Sequence, residues 1–200
     1  MSGPRDLAGL VASRICHDLI SPVGALGNGM ELIDASGGDI GEELELIRSC
    51  SDAARFALTY MRIAFGAAGP EDTVDPAETM AAARPYLAAK RLTLSGTEGE
   101  TEGGGDRSRL RAKARLLTLL AAVDAAPRGA TAIPLDADAL IWAVTGASLN
   151  SDTPIERLAA PESCGAREAH YPVLHDVARN LGRTPFAEAR GPERFEIGLR

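Results

Sequence analysis

Between Asp6 and Asp34 apolar residues return at steps of three and four: Leu7, Val11, Ile15, Leu19, Val23, Leu26, Met30 and Ile33. Wound at about 100° per residue, they gather into one arc of about 160°. The segment therefore predicts a long amphipathic helix with that arc as its core face. A second periodic run, Leu44, Ile47, Ser51, Ala54, Leu58, Met61 and Phe65, keeps heptad spacing after Ser36-Gly37-Gly38. Asp39, with Glu42 one turn on, reads as its N-cap and capping-box partner. The acidic run Glu42-Glu43-Leu44-Glu45 reads as a solvated helix start favoured by the macrodipole rather than a metal site. Two long helices joined by a short turn predict an antiparallel hairpin. A lone hairpin exposes apolar surface on both members, so two of them are expected to pair as a homodimeric four-helix bundle. The alternative is a heptad seam packed within the chain against a second domain.

From 66 to 75 the composition turns to Gly, Ala, Pro and acids, which marks a linker. It divides the chain into a helical hairpin, 1–68, and a second domain, 73–200. The pattern there predicts a helix over 76–89, a strand over 91–95, a mobile loop without a ligand over 96–106 and an apolar helix over 108–126. Strands are expected over 131–135 and 140–145, a helix over 167–181, and strands over 185–189 and 194–199. The fold class is thus α + α/β, a hairpin followed by a two-layer α/β sandwich on a mixed sheet.

Composition removes whole classes of function. Among 200 residues, 45% are hydrophobic and 24% charged, enough for a sizeable core, and the net charge of −7 argues against nucleic acid as a partner. No uninterrupted apolar run approaches the ~18 residues of a membrane span, and the amino terminus lacks a basic region followed by an apolar one. A cytoplasmic protein off the membrane is expected. Cys16, Cys50 and Cys164 are widely spaced and without a C-x-x-C pair, so three reduced thiols are expected, Cys50 half-buried.

The candidate chemistry lies inside the first helix, at Cys16-His17-Asp18-Leu19-Ile20-Ser21-Pro22. His17 falls opposite the apolar arc, on a side shared with Ser13, Arg14, Ser21, Gly24, Asn28 and Glu31. Its ring should face solvent over a platform of small residues. Pro22 removes the bond to the carbonyl of Asp18 and should bend the helix. Alone, such a histidine is an ordinary surface residue. The joint pattern resembles the H-box of two-component histidine kinases, approximately His-Glu/Asp-Leu-x-x-Pro-Leu, with His17, Asp18, Leu19, Pro22, Leu26, Glu31 and Leu32 in step.

The second half resembles the ATP-binding domain of those kinases, but without its nucleotide signatures. In Leu116-Leu117-Thr118-Leu119-Leu120-Ala121-Ala122-Val123-Asp124-Ala125-Ala126-Pro127-Arg128-Gly129, Ala121 stands where that family has a Mg²⁺-holding asparagine. Val144-Thr145-Gly146-Ala147-Ser148 lacks the adenine-binding aspartate, and the lid position keeps only Gly165. A kinase-like chain that keeps the acceptor histidine and loses ATP resembles the ChpT-type histidine phosphotransferases, intermediate carriers of bacterial phosphorelays. The resemblance is closest over the first 65 residues, where Gly24-Ala25-Leu26-Gly27-Asn28-Gly29 continues it.

That resemblance implies a homodimer whose His17 shuttles a phosphoryl group between receiver-domain aspartates of a hybrid kinase and of response regulators. His17 would be the phosphoacceptor, and Asp18 is suited to hold its other ring nitrogen. Arg14, Ser21, Gly24 and Asn28 are the candidate receiver contacts. No cofactor is expected on this chain: Mg²⁺ would come with the receiver, and ATP should not bind. The second domain is expected to add a docking surface, with the hairpin alone chemically competent. Elsewhere, His170 and His175 share no helix face for a metal, Asp136 and Asp138 read as turn formers, and Trp142 as core. Two other readings stand beside phosphotransfer: an ATP-dependent histidine kinase with divergent motifs, separable by calorimetry with ATP, and a non-catalytic dimeric adaptor.

Overall fold

The computed structural model describes residues 6–36, 40–69, 71–96, 107–136 and 138–200. Helix α1 (Leu7–Ala35) starts at Asp6, whose carboxylate accepts from the Gly9 amide at 2.8 Å, and runs through Pro22. Helix α2 (Gly41–Phe65) begins after Ile40 with Glu42 and Glu43 in its first turn. The expected Asp39 cap and most of the 96–106 loop lie outside the described residues. The two helices pack as a hairpin. Near its closed end the Ser36 hydroxyl donates to Glu43 at 2.8 Å. Further along, a Cβ on Gly29 would stand 2.7 Å from Ile47 Cγ1, so only glycine allows this approach.

The apolar arc of α1 divides. Leu7, Val11, Ile15 and Leu19 pack against the core, whereas Val23 and Met30, expected inside, are exposed. The reason is geometric: the rest of the molecule packs against the first turns, and later turns lie along α2. The heptad of α2 divides as well. Ile47 and Ala54 are half-buried and Met61 buried, while Leu44, Ser51 and Leu58 face outward. Its last turns join the core through Ala57, Tyr60, Met61, Ile63 and Ala64. The Tyr60 hydroxyl donates to the Leu116 carbonyl at 2.7 Å, so part of the seam is intramolecular.

The remaining elements are α3 (Pro76–Ala89), β1 (Leu92–Leu94), α4 (Arg109–Asp124), β2 (Ala130–Pro134), β3 (Ile141–Thr145), α5 (Asp152–Ala159), α6 (His170–Asn180), β4 (Pro185–Ala189) and β5 (Arg194–Leu199). The five strands form one mixed sheet in the order β1-β2-β3-β5-β4, parallel at β1–β2 and antiparallel elsewhere. The period of two sends Leu92, Ala132, Trp142, Val144, Phe195 and Ile197 toward the helices. Against them lies α4, with Leu116, Leu117, Leu119, Leu120 and Ala121 sealed from solvent. At β5 a Cβ on Gly198 would meet the Leu140 carbonyl at 2.3 Å, so this close approach also requires glycine. Sequence periodicity misses α5 and the 3₁₀ turns Pro161–Ser163 and Ala166–Glu168. They displace the start of α6 to His170. Among the described residues no helix is long and apolar enough to cross a membrane.

Candidate functional site

His17 stands on the middle of α1 with its side chain about half exposed (49%). Around it Ser13, Ser21, Gly24 and Asn28 are exposed, as the helical wheel predicts, and the direction of a Cβ on Gly24 is open space. The ring nitrogen Nδ1 faces Asp18 Oδ1 at 3.5 Å, just beyond the usual span of an N–H···O hydrogen bond.

Asp18 is not a surface partner. Its side chain is only 4% exposed, and three donors converge on it. Arg14 Nε, one turn earlier on α1, reaches Oδ2 at 3.0 Å. The Tyr86 hydroxyl, from α3, donates to the same oxygen at 2.9 Å, and Lys90 Nζ, at the C-terminal end of α3, donates to Oδ1 at 3.1 Å. Burial on its own would push the carboxyl pKa up. The positive charges of Arg14 and Lys90 and the Tyr86 and Lys90 hydrogen bonds outweigh it and hold Asp18 below its ordinary value. The same burial and the adjacent Asp18 charge push the Tyr86 phenol far up, so it remains a donor.

Second contacts fix the donors. The Tyr86 ring stacks on Tyr60 with centroids 4.3 Å apart, and Lys90 Nζ lies 5.0 Å from the Tyr86 ring centre. Lys90 also caps the helix, where a cation suits the macrodipole. The Arg14 guanidinium donates in addition to the carbonyl of Arg167, in the 3₁₀ turn Ala166–Glu168. That turn is held by Glu168, which pairs with Arg157 at 2.7 Å and accepts from the Gly165 amide at 2.9 Å. Arg14 is therefore buried, and its expected place among exposed receiver contacts is corrected. The 3₁₀ turn that covers it has no periodic signature, which is why the helical wheel placed it in solvent.

A shallow groove runs from His17 between these elements. Lys90, Asp124, Thr153 and Arg167 line it alongside Arg14 and Asp18. Sequence reasoning missed Tyr86 and Lys90 altogether. Lying 68 and 72 residues from Asp18, they read locally as a helix-core tyrosine and a helix-end lysine. The only legible part of the cluster is Arg14 and Asp18 at i, i+4. Of the lesser candidates, Trp142 is sealed in the core, and the Asp136 carboxylate accepts from the Leu140 and Ile141 amides in a turn. His170 Nε2 lies 3.1 Å from Asp124, and the His175 ring meets the Leu158 carbonyl at 2.9 Å. Asp138 pairs with Arg111 at 2.7 Å rather than only turning the chain. Cys16 is exposed, Cys50 half-buried and Cys164 buried, and none of the three is in a disulfide.

No protein-family model matches the chain. In sequence it is 53% identical over 64 residues to the protein phosphotransferase ChpT of Brucella abortus (strain 2308), a stretch that takes in 32% of this chain and 30% of that protein. The chain thus aligns with less than a third of that relative's length. In structure it superposes on a solved bacterial phosphotransferase with a TM-score of 0.76 and 26% identity, over 100% of this chain and 98% of the other. One likeness of sequence and one of fold along the whole chain together make this protein similar to the ChpT-type phosphotransferases.

Proposed function

We propose that this protein is a histidine phosphotransferase of a two-component phosphorelay, passing a phosphoryl group between receiver aspartates through His17. The observation that carries the reading is the half-exposed His17 ring, with Nδ1 turned to a buried carboxylate that three donors hold ionised. With Nδ1 protonated, the Nε2 lone pair attacks the phosphorus of an aspartyl phosphate in line. The N–P bond forms as the P–O bond to the donor carboxylate breaks, its electron pair leaving on that carboxylate. The ring becomes cationic, and Asp18 stabilises it through Nδ1–H. The reverse sequence delivers the group to the next receiver. Mg²⁺ is the receiver's contribution and neutralises charge on the transferring group there.

Ser21, Gly24 and Asn28 are the proposed receiver contacts on α1, since each is exposed beside His17. Arg14 supports the reaction from inside, by holding Asp18. The hairpin, 1–68, is the dimerisation and phosphotransfer unit, and 73–200 a kinase-ATPase-like body that has given up ATP. In support of the latter, Ala121 sits fully buried in α4, where a metal-holding asparagine would have to point outward. A homodimer accounts for Ile20, Val23 and Met30, spaced on one face of α1, and for Leu44 and Leu58 on α2, which stay exposed in the single chain. A cytoplasmic setting belongs to the same proposal, because receivers and their kinase domains act there.

The decisive experiment mixes the full chain with a receiver domain phosphorylated by radiolabelled acetyl phosphate. Acid-labile label should appear on the wild-type chain and vanish in His17→Ala, with circular dichroism unchanged. Label that persists in the mutant places the acceptor elsewhere. A wild-type chain that takes no label leaves the adaptor reading.

A further inference from the structure

Resting on the phosphotransfer reading, we infer that Tyr86 and Lys90 of α3 are positioning residues for His17. They hold the Asp18 carboxylate so that Oδ1 faces Nδ1, and thereby select Nε2 as the nitrogen that takes phosphate. The acceptor site is then assembled from α1 and α3 together.

The geometry argues this step by step. Asp18 can rotate about its terminal torsion, which is broad and nearly two-fold. Arg14 alone binds one oxygen and leaves that torsion free. The Tyr86 hydroxyl adds a second bond at Oδ2, and Lys90 fixes Oδ1 at 3.1 Å, which sets the carboxylate plane. Oδ1 then meets Nδ1 of His17 at 3.5 Å. Among the described residues no other polar group faces that nitrogen, so Oδ1 is the acceptor toward which an Nδ1–H turns. Without α3, the ring can turn about its own terminal torsion and present Nδ1 outward. Lys90 is itself well placed to be held: it ends α3, and Arg91 turns the chain sharply with φ of 65° into β1. The hairpin taken alone, which the sequence suggests is chemically complete, therefore lacks two of the three groups that orient Asp18.

The test uses the full chain with phosphoramidate, a small donor that needs no receiver. Nε2 forms the new N–P bond as the P–N bond of the N-protonated donor breaks with its electron pair on nitrogen, and neutral ammonia leaves. Phosphorus NMR separates the Nε2 and Nδ1 phosphohistidines, and His17→Ala identifies the His17 signals. Wild-type protein should give the Nε2 isomer alone. The double variant Lys90→Met, Tyr86→Phe should react about 10- to 100-fold more slowly and give a second, Nδ1 signal from His17. The same rate with Nε2 alone overturns the inference. A slower rate with Nε2 alone overturns it too, because loss of stability slows the reaction without changing which nitrogen reacts. If the double variant fails to fold, Tyr86→Phe by itself, which keeps the ring against Tyr60, is read the same way. Absence of any His17 signal in the wild type instead refutes the phosphotransfer reading.

Discussion

Asp18 carries more of this protein than its place beside a histidine suggests, because both of its oxygens are engaged by groups from two helices. Replacing it with Asn leaves Arg14 and Lys90 facing a neutral amide in a largely enclosed site. The expected cost is about 2–3 kcal/mol of stability, less than for a fully buried pair because Lys90 keeps some solvent. Transfer should slow roughly 10²- to 10⁴-fold. The pH dependence follows from the sign of the shift. A carboxyl held below its ordinary pKa stabilises the fold fully above about pH 4, and the contribution is lost as pH falls through the lower folded value. Urea melts across that acid range should show wild-type stability falling toward that of Asp18→Asn; parallel curves would remove Asp18 as the source. At this scale the sequence gives the exposed side of α1 around His17 and is silent about what other elements bring to Asp18 and Arg14. A helical wheel knows only the helix it is drawn on, and Tyr86, Lys90 and the 3₁₀ turn over Arg14 come from elsewhere.

Among the elements, the hairpin has a close approach at Gly29, where α1 meets Ile47 of α2. Gly29→Leu should lower the thermal midpoint by the equivalent of about 2 kcal/mol, since a side chain there must push α1 from α2. Combining it with Ile47→Ala should recover much of the loss, a coupling that a double-mutant cycle measures. Additive effects would mean that the helices do not meet there. Long periodic elements were legible in the sequence: α1 to α4, β4 and β5 fall where apolar spacing puts them. At eight residues α5 is two turns long, too short for its apolar side, with Pro154 and Leu158 buried, to stand out as a repeat along the chain.

At the level of the whole molecule, Ile20, Val23 and Met30 form an exposed apolar row on α1 that the proposed homodimer would cover. If this row is the contact of the proposed homodimer, Val23→Glu should shift the protein from dimer to monomer in light scattering, with the far-ultraviolet circular dichroism retained; an unchanged mass would put any dimer contact elsewhere. The division of the arc could not be read from spacing, because exposed and core-facing apolar residues on one helix carry the same period. The tie from α3 to Asp18 has a last consequence. A chain whose α/β body has opened, whether newly made or damaged, still displays His17 on its helix but no longer holds the carboxylate behind it. On the proposed function such a chain would be a poor thief: it could crowd a receiver, yet it would not drain the phosphate that an intact copy would carry.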